Sequence, residues 1–309
     1  MKYLISIVGP TAVGKTALSI AVVEALDTVI LSTDSRQMYR FMDIGTAKPS
    51  EAEKKDIPHY FMDTLYPDET YNAGRFEAEA DILIEQLFQT RDYLVTAGGS
   101  TLYVDALWNG IDEMPPIPAE IRAQLNQEFQ ENGLENLLEE LAQVDSETYT
   151  QIDKANHARV IRALEVFRAT GKPISFYRNQ TSGKKRNYHL IKIGLTDERA
   201  ALYERINRRV EQMAEDGLEK EVRDLLAKGY SRENQALQSI GYIEIIDYIE
   251  GKTSLSEAVE LIQRNSRRYA KRQLTWFRRY DDINWFRAGE NETVVNWLKQ
   301  EIQRLAGTA

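Results

Sequence analysis

The octapeptide Gly9-Pro10-Thr11-Ala12-Val13-Gly14-Lys15-Thr16 leaves this chain few folds to choose from. It fits G-x-x-x-x-G-K-[ST] at every fixed position. Before it, Tyr3 to Val8 is an apolar run of strand length; after it, Leu18, Ala21, Val22 and Ala25 recur at helical spacing. Strand, glycine loop and helix N-terminus together make a phosphate-binding loop, in which glycines let several backbone N–H groups turn toward one anion. Lys15 adds a point charge, and the Thr16 hydroxyl can complete a Mg²⁺ shell. The loop predicts a bound polyphosphate without saying which.

The 309 residues suffice for one large domain or two ordinary ones. With no cysteine, disulfides, thiolate zinc sites and a cysteine nucleophile are excluded, and three histidines argue against a histidine metal site. The apolar start is too short for a signal segment, and no run nears the roughly eighteen apolar residues of a membrane span. A soluble cytoplasmic protein is expected. The net charge of −9 argues against a nucleic-acid partner until its distribution is considered. From Arg264 to Arg279 there are seven Lys/Arg and no acid, whereas Gln124 to Glu147 is strongly acidic.

Thr28 to Ser32 reads as a second buried strand, running into the polar segment Thr33 to Tyr39. Ligands in open α/β sheets bind beyond the carboxyl ends of strands, so Asp34 should lie near the phosphate loop. A helix is predicted over Ala73 to Thr90. Asp92 to Ala97 is a further strand, ending in the second glycine loop, Gly98-Gly99-Ser100-Thr101. This alternation predicts a parallel, doubly wound α/β sheet flanked by helices, as in phosphate-loop NTPases. Around Met114 to Pro118 the pattern becomes helical and stays so to about Gln180, which predicts an all-helical insertion over residues 115–187 in a core of 1–114 and 188–309. His189 to Leu195 resumes the sheet. Leu202 to Lys228 reads as one long helix with Gly229 as its cap. Ser256 to Arg279 reads as another, about 35 Å long. On that second helix Ala258, Ile262, Tyr269, Gln273, Trp276 and Phe277 run along one side, and Arg264, Arg268, Lys271 and Arg272 along another.

Four features could carry chemistry. Asp34 could hold Mg²⁺ through water, hydrogen-bond a ribose or act as a general base, or it could simply close an Asx turn. Ser100 could position a reacting group, or Gly-Gly-Ser could be only a turn. Arg205 and Arg209 could grip a diphosphate bidentately, although arginines on one helix more often face solvent. The Arg264–Arg279 stretch mixes cations with Tyr269, Trp276 and Phe277, which suits a polyanion, with Lys/Arg for affinity and aromatics that could stack on bases. The helical spacing of Trp276 and Phe277 instead predicts that both pack inward.

Taken in order, GPTAVGKT, DSRQMYR, IGTAKP, HYFMD, AGGSTLY, RVIRALEVFRATGKP and RYAKRQLTWFRR resemble the tRNA dimethylallyltransferase (tRNA isopentenyltransferase) family from Ile7 to about Arg279. The resemblance implies transfer of a dimethylallyl group from dimethylallyl diphosphate to N6 of adenosine 37, beside the tRNA anticodon. Gly9, Pro10, Thr11, Ala12, Val13, Gly14, Lys15 and Thr16 would hold the diphosphate, with Mg²⁺ at Thr16. Asp34 would accept the N6 proton, and Asp34, Ser35, Arg36, Gln37 and Ser100 would contact the nucleotide. Ser100 and Arg209 would join Asp34 as catalytic residues, Arg209 by binding diphosphate. The insertion would clasp the anticodon stem-loop through Arg122, Arg159 and Arg162. A monomer is expected.

Three positions depart from the family pattern: Ser100 for the usual threonine, Ala155-Asn156 for an Asn-Asp pair, and Arg267-Arg268 for Arg-Gln. A small-molecule phosphotransferase of the nucleoside or shikimate kinase type shares the loop and a strand-end aspartate. It does not explain the helical insertion or the basic helix.

Overall fold

The computed structural model describes residues 1–112, 114–178 and 186–307. The chain divides into two compact units, Met1–Trp108 with Arg186–Ala309, and Asn109–Lys185. The polar stretch 182–185 lies outside the described residues.

The first unit opens with β1 (Tyr3–Val8), α1 (Lys15–Leu26), β2 (Ile30–Ser32), the single turn α2 (Glu51–Lys54) and β3 (His59–Tyr60). It continues through α3 (Ala73–Phe88), β4 (Tyr93–Gly98) and α4 (Thr101–Asn109). The helical unit holds α5 (Ala119–Asn132), α6 (Leu134–Val144), α7 (Ser146–Gln151), α8 (His157–Thr170) and α9 (Ile174–Tyr177). The chain then returns to the first unit as β5 (His189–Thr196), α10 (Arg199–Glu215), α11 (Leu218–Ala227) and α12 (Tyr242–Ile249). It ends with α13 (Leu255–Phe277), β6 (Asn284–Arg287) and α14 (Asn291–Gly307).

The six strands form one parallel sheet in the order β3-β2-β4-β1-β5-β6. Every residue of β1 is buried, which is why Tyr3 to Val8 reads as an unbroken apolar run rather than an alternating one. Ile5, Ile7, Ile191 and Ile193 from the sheet share a core with Leu18 and Val22 of α1. Leu202 and Ile206 of α10, Ala270 of α13, and Val294 and Leu298 of α14 complete it. Because β4 and β1 are neighbours with Val8 opposite Gly98, the loops that follow them emerge side by side. The helical unit has a core of its own around Leu125, Leu137, Leu141, Val160 and Leu164.

The expected long helix Leu202–Lys228 is two helices. Gly217 sits at φ 100°, in the left-handed region, and separates α10 from α11. Leu218, Val222 and Leu225 are all buried, so the apolar stripe continues across the break and conceals it from a periodicity reading. On α13 Phe277 is fully buried, but Trp276 is only half-buried, with the Arg279 guanidinium 3.7 Å above its ring. The expectation that both rings pack inward therefore holds for Phe277 alone: consecutive helical residues point about 100° apart, and only one of the two can face the core.

Candidate active site

The phosphate loop leaves β1 and enters α1, as the motif requires. At Gly9 (φ 153°) a β-carbon would stand 2.7 Å from the Leu195 carbonyl oxygen, so only glycine fits between β1 and β5 there. Thr11, Ala12, Val13, Gly14, Lys15 and Thr16 line a cleft of about 1620 Å³. Asp34, Gln37, Ala97, Gly98, Arg205, Arg209, Tyr269 and Gln273 share that lining. The loops after β1, β2 and β4 thus meet α10 and α13 in one place.

The cations in this cleft are held differently. Lys15 Nζ donates to the carbonyls of Pro10 (2.8 Å) and Gly9 (3.1 Å). Burial pushes its pKa down to about 8, with the Asp34 charge opposing the fall and the Arg209 charge adding to it. Arg205 donates from Nε to the carbonyl of Ala12 and pairs with Asp197 at 2.8 Å. That arginine is engaged in holding the loop, with Asp197 as its acid partner. Arg209 donates from Nη1 to the Thr11 hydroxyl at 3.3 Å, and among the described residues it makes no ion pair. Burial lowers its pKa, against the pull of Asp34 and Glu53. Lys15 and Arg209 are therefore two half-buried cations beside the phosphate loop that are left for an anion.

Asp34 lies just beyond the end of β2. Its Oδ1 accepts the Arg36 N–H at 3.0 Å, so an Asx turn does form; it engages one oxygen of a carboxylate that still lines the cleft. Ser100 Oγ accepts the Ser35 N–H at 2.8 Å and lies 3.0 Å from Ser35 Oγ, which ties the β4 loop to the Asp34 loop. The Ser100 carbonyl accepts the N–H groups of Tyr103 and Val104, starting α4, a helix not anticipated from the sequence. Arg36 turns away from the cleft lining and donates from Nη1 to the Gln235 carbonyl at 2.7 Å. Gln37 Nε2 donates to the carbonyls of Thr46 (3.4 Å) and Ala47 (3.3 Å).

In the helical unit, Arg122 and Arg162 converge on Glu165. Arg122 donates from Nε at 2.7 Å and Nη2 at 2.9 Å, Arg162 from Nη1 at 2.5 Å. The Glu165 side chain is 1 % exposed, while those of Arg122 and Arg162 are 59 % and 40 % exposed. Arg159 is exposed on α8, whose N-cap Asn156 accepts the Arg159 N–H at 3.2 Å. The departure at Ala155-Asn156 therefore preserves a helix cap.

Sequence reasoning missed the role of Gln273, which it placed on the buried stripe of α13. The signal was there: a primary amide in an otherwise apolar stripe must find partners. It also missed Glu221, whose carboxylate accepts the N–H groups of Asp43, Ile44 and Gly45 and the Tyr242 hydroxyl, fixing one wall of the cleft.

A family model described as IPP transferase matches residues 37–280, a span that begins beyond the phosphate loop and so supports the reading independently of it. A tRNA dimethylallyltransferase of Cytophaga hutchinsonii is 44% identical over 302 residues, covering 98% of each chain. The crystal structure of a tRNA isopentenylpyrophosphate transferase from Bacillus halodurans superposes with a TM-score of 0.74 at 36% identity, over 100% of this chain and 99% of that one. A eukaryotic dimethylallyltransferase, described as acting on tRNA, gives a TM-score of 0.77 at 26% identity, over 93% of this chain and 74% of its own. With its cleft residues in place, the chain belongs to the IPP transferase family, alongside the tRNA dimethylallyltransferases.

Proposed function

We propose that this chain transfers a dimethylallyl group from dimethylallyl diphosphate to N6 of adenosine 37 in tRNA and releases diphosphate. The observation that carries the reading is the pairing, in one cleft, of two cations lacking acid partners, Lys15 and Arg209, with the carboxylate of Asp34. The diphosphate binds along the phosphate loop against Lys15 and Arg209. As the carbon–oxygen bond to C1 of the dimethylallyl group breaks, these cations stabilise the charge gathering on the leaving diphosphate. The N6 lone pair forms the new bond to C1, and Asp34 takes the proton that N6 loses. Ser100 and Ser35 hold the Asp34 loop in place for that transfer.

Among the described residues no cluster of three or more His, Asp or Glu could cage a metal ion. The Thr16 hydroxyl, which lines the cleft at the end of the phosphate loop, would instead help hold a Mg²⁺ that keeps most of its waters. Bound there, Mg²⁺ would supply further neutralisation of the leaving group. The helical unit takes the anticodon stem-loop, with Arg122, Arg159 and Arg162 on its phosphates. Glu165 pre-aligns two of those guanidiniums. An adenine stacked in the loop cannot reach a cleft at strand ends, so it is flipped out on binding. No described helix is long and apolar enough to cross a membrane.

The test is transfer of labelled dimethylallyl diphosphate to an unmodified anticodon stem-loop by wild type and Asp34→Asn. Wild-type transfer, a loss of roughly 10²–10⁴ in the variant and retained RNA binding are expected. ATP consumption with small hydroxyl acceptors and no dimethylallyl transfer would replace this reading with a kinase.

A further inference from the structure

The two loops that flank the cleft are joined by one side chain from a distant part of the sequence. Gln273 on α13 accepts the Thr11 N–H through Oε1 at 2.9 Å and donates from Nε2 to the Gly99 carbonyl at 2.8 Å. It is 2 % exposed, so neither bond is exchanged for water. The partners fix the amide's orientation: a backbone N–H needs the oxygen, and a backbone carbonyl needs the nitrogen. The packing around Gly99 agrees. A β-carbon there would stand 2.3 Å from Gln273 Nε2 and 3.1 Å from the Gly9 carbonyl oxygen, so the turn has no side chain where the amide enters. One helical turn earlier, the Tyr269 hydroxyl lies 3.5 Å from the same Gly99 carbonyl.

Each end of this strap continues into the chemistry. Thr11 accepts Arg209 through its hydroxyl, and Gly99 precedes Ser100, which holds Ser35 beside Asp34. We infer that Gln273 is a positioning residue: it sets the spacing between the diphosphate-binding half of the cleft and the half that carries the proton acceptor. The inference rests on the transferase reading for its effect on rate, but not for the contact itself. Gln273 touches neither leaving group nor base, so its loss acts on the geometry between them. A misplacement of about 1 Å at a reacting pair costs on the order of 10²-fold in rate.

Gln273→Glu is nearly isosteric and separates geometry from packing. Ionised, it presents an oxygen to the Gly99 carbonyl where a donor stood; protonated, it restores an O–H in that place. Burial favours the protonated form, which brings its titration toward neutral pH. Expected at pH 8.5 is a kcat lowered roughly 10- to 100-fold with little change in KM for dimethylallyl diphosphate. The variant-to-wild-type ratio should rise as the pH falls toward 5.5. Gln273→Leu should lose as much at every pH, with no recovery.

Hydrogen exchange of the Thr11 amide supplies a reading independent of the reaction: slow in wild type, fast in Gln273→Leu. Wild-type kcat in Gln273→Glu at pH 8.5 would overturn the inference. So would a pH-independent loss matched by a lowered melting temperature, or an unchanged Thr11 exchange rate. A wild type that transfers no dimethylallyl group, with Thr11 exchange still controlled by Gln273, would sink the proposed reaction and leave the strap standing.

Discussion

Lys15 offers the most quantitative test of the site. In the unfolded chain it keeps its proton to about pH 10.5, and in the fold only to about 8, chiefly because it is buried. Between those values the unfolded chain binds more protons, so stability rises with pH across the window. Below it the fold bears the full cost of a buried ammonium. At 1.36 kcal/mol per pH unit, that cost is at most about 3 kcal/mol. Lys15→Met removes the charge and retains the chain length. It should stabilise the free protein toward chemical denaturation at pH 7 by up to about 3 kcal/mol, and the gain should vanish as the pH approaches 10.5.

A diphosphate reverses the balance by giving the ammonium an anion. In wild type, then, diphosphate affinity measured by calorimetry, taken relative to Lys15→Arg at each pH so that the ligand's own titration cancels, should be flat below pH 8 and weaken about tenfold by pH 9. Lys15→Arg, whose guanidinium does not titrate in this range, should bind without that pH dependence. A Lys15→Met protein no more stable than wild type at pH 7, together with wild-type affinity that tracks Lys15→Arg to pH 9.5, would refute the argument that Lys15 is a desolvated cation held without an acid partner.

Other substitutions separate residues that look alike in sequence. Arg209→Ala should weaken diphosphate binding by roughly 100-fold with stem-loop affinity retained. Arg205→Ala, which loses its bonds to Asp197 and Ala12, should chiefly lower the melting temperature. Ser100→Ala strips the acceptor from the Ser35 N–H and should lower kcat about tenfold, with recovery in Ser100→Thr. Glu165→Ala should destabilise the helical unit by about 2 kcal/mol in urea and lower stem-loop affinity, since two guanidiniums lose their common anchor. Burial alone would raise the Glu165 pKa, but Arg122 and Arg162 outweigh it and hold the pKa low. Its stabilisation is therefore present above the ordinary carboxylate range and lost as the pH falls through the lowered value, a loss that should be absent from Glu165→Ala.

What could be read from the sequence was local. The phosphate loop, the strand-end position of Asp34 and the Gly98-Gly99-Ser100 turn follow from patterns a few residues long, and parallel strand order brings their ends together. What could not be read depends on contacts between distant residues. Thr11 and Gln273 are 262 residues apart, and nothing near either announces the other. Arg205 and Arg209, one turn apart on the same helix, are equivalent until Asp197 is seen to claim the first. The break at Gly217 escaped because the buried face runs on through it. The strand β6 and helix α14, which extend the sheet and cover α1, carry no motif and were not anticipated.

The distribution of charge resolves how a chain of net charge −9 can act on a polyanion. Part of the acidity of the helical unit is spent internally. Glu128 and Glu140 both bind Arg168, at 2.6 and 2.5 Å, and Glu165 is buried beneath two arginines. On α13, by contrast, Arg264, Arg268, Lys271 and Arg272 are exposed, and among the described residues none of the four makes an ion pair. Paired acids repel an approaching phosphate weakly, because their field is cancelled within a few ångströms, less than the roughly 8 Å screening length at physiological salt. Unpaired cations attract it with a net field that no neighbouring charge cancels and only salt screens. Affinity for RNA should follow the unpaired set rather than the net charge, and it should fall with rising salt in proportion to the number of phosphates that set neutralises.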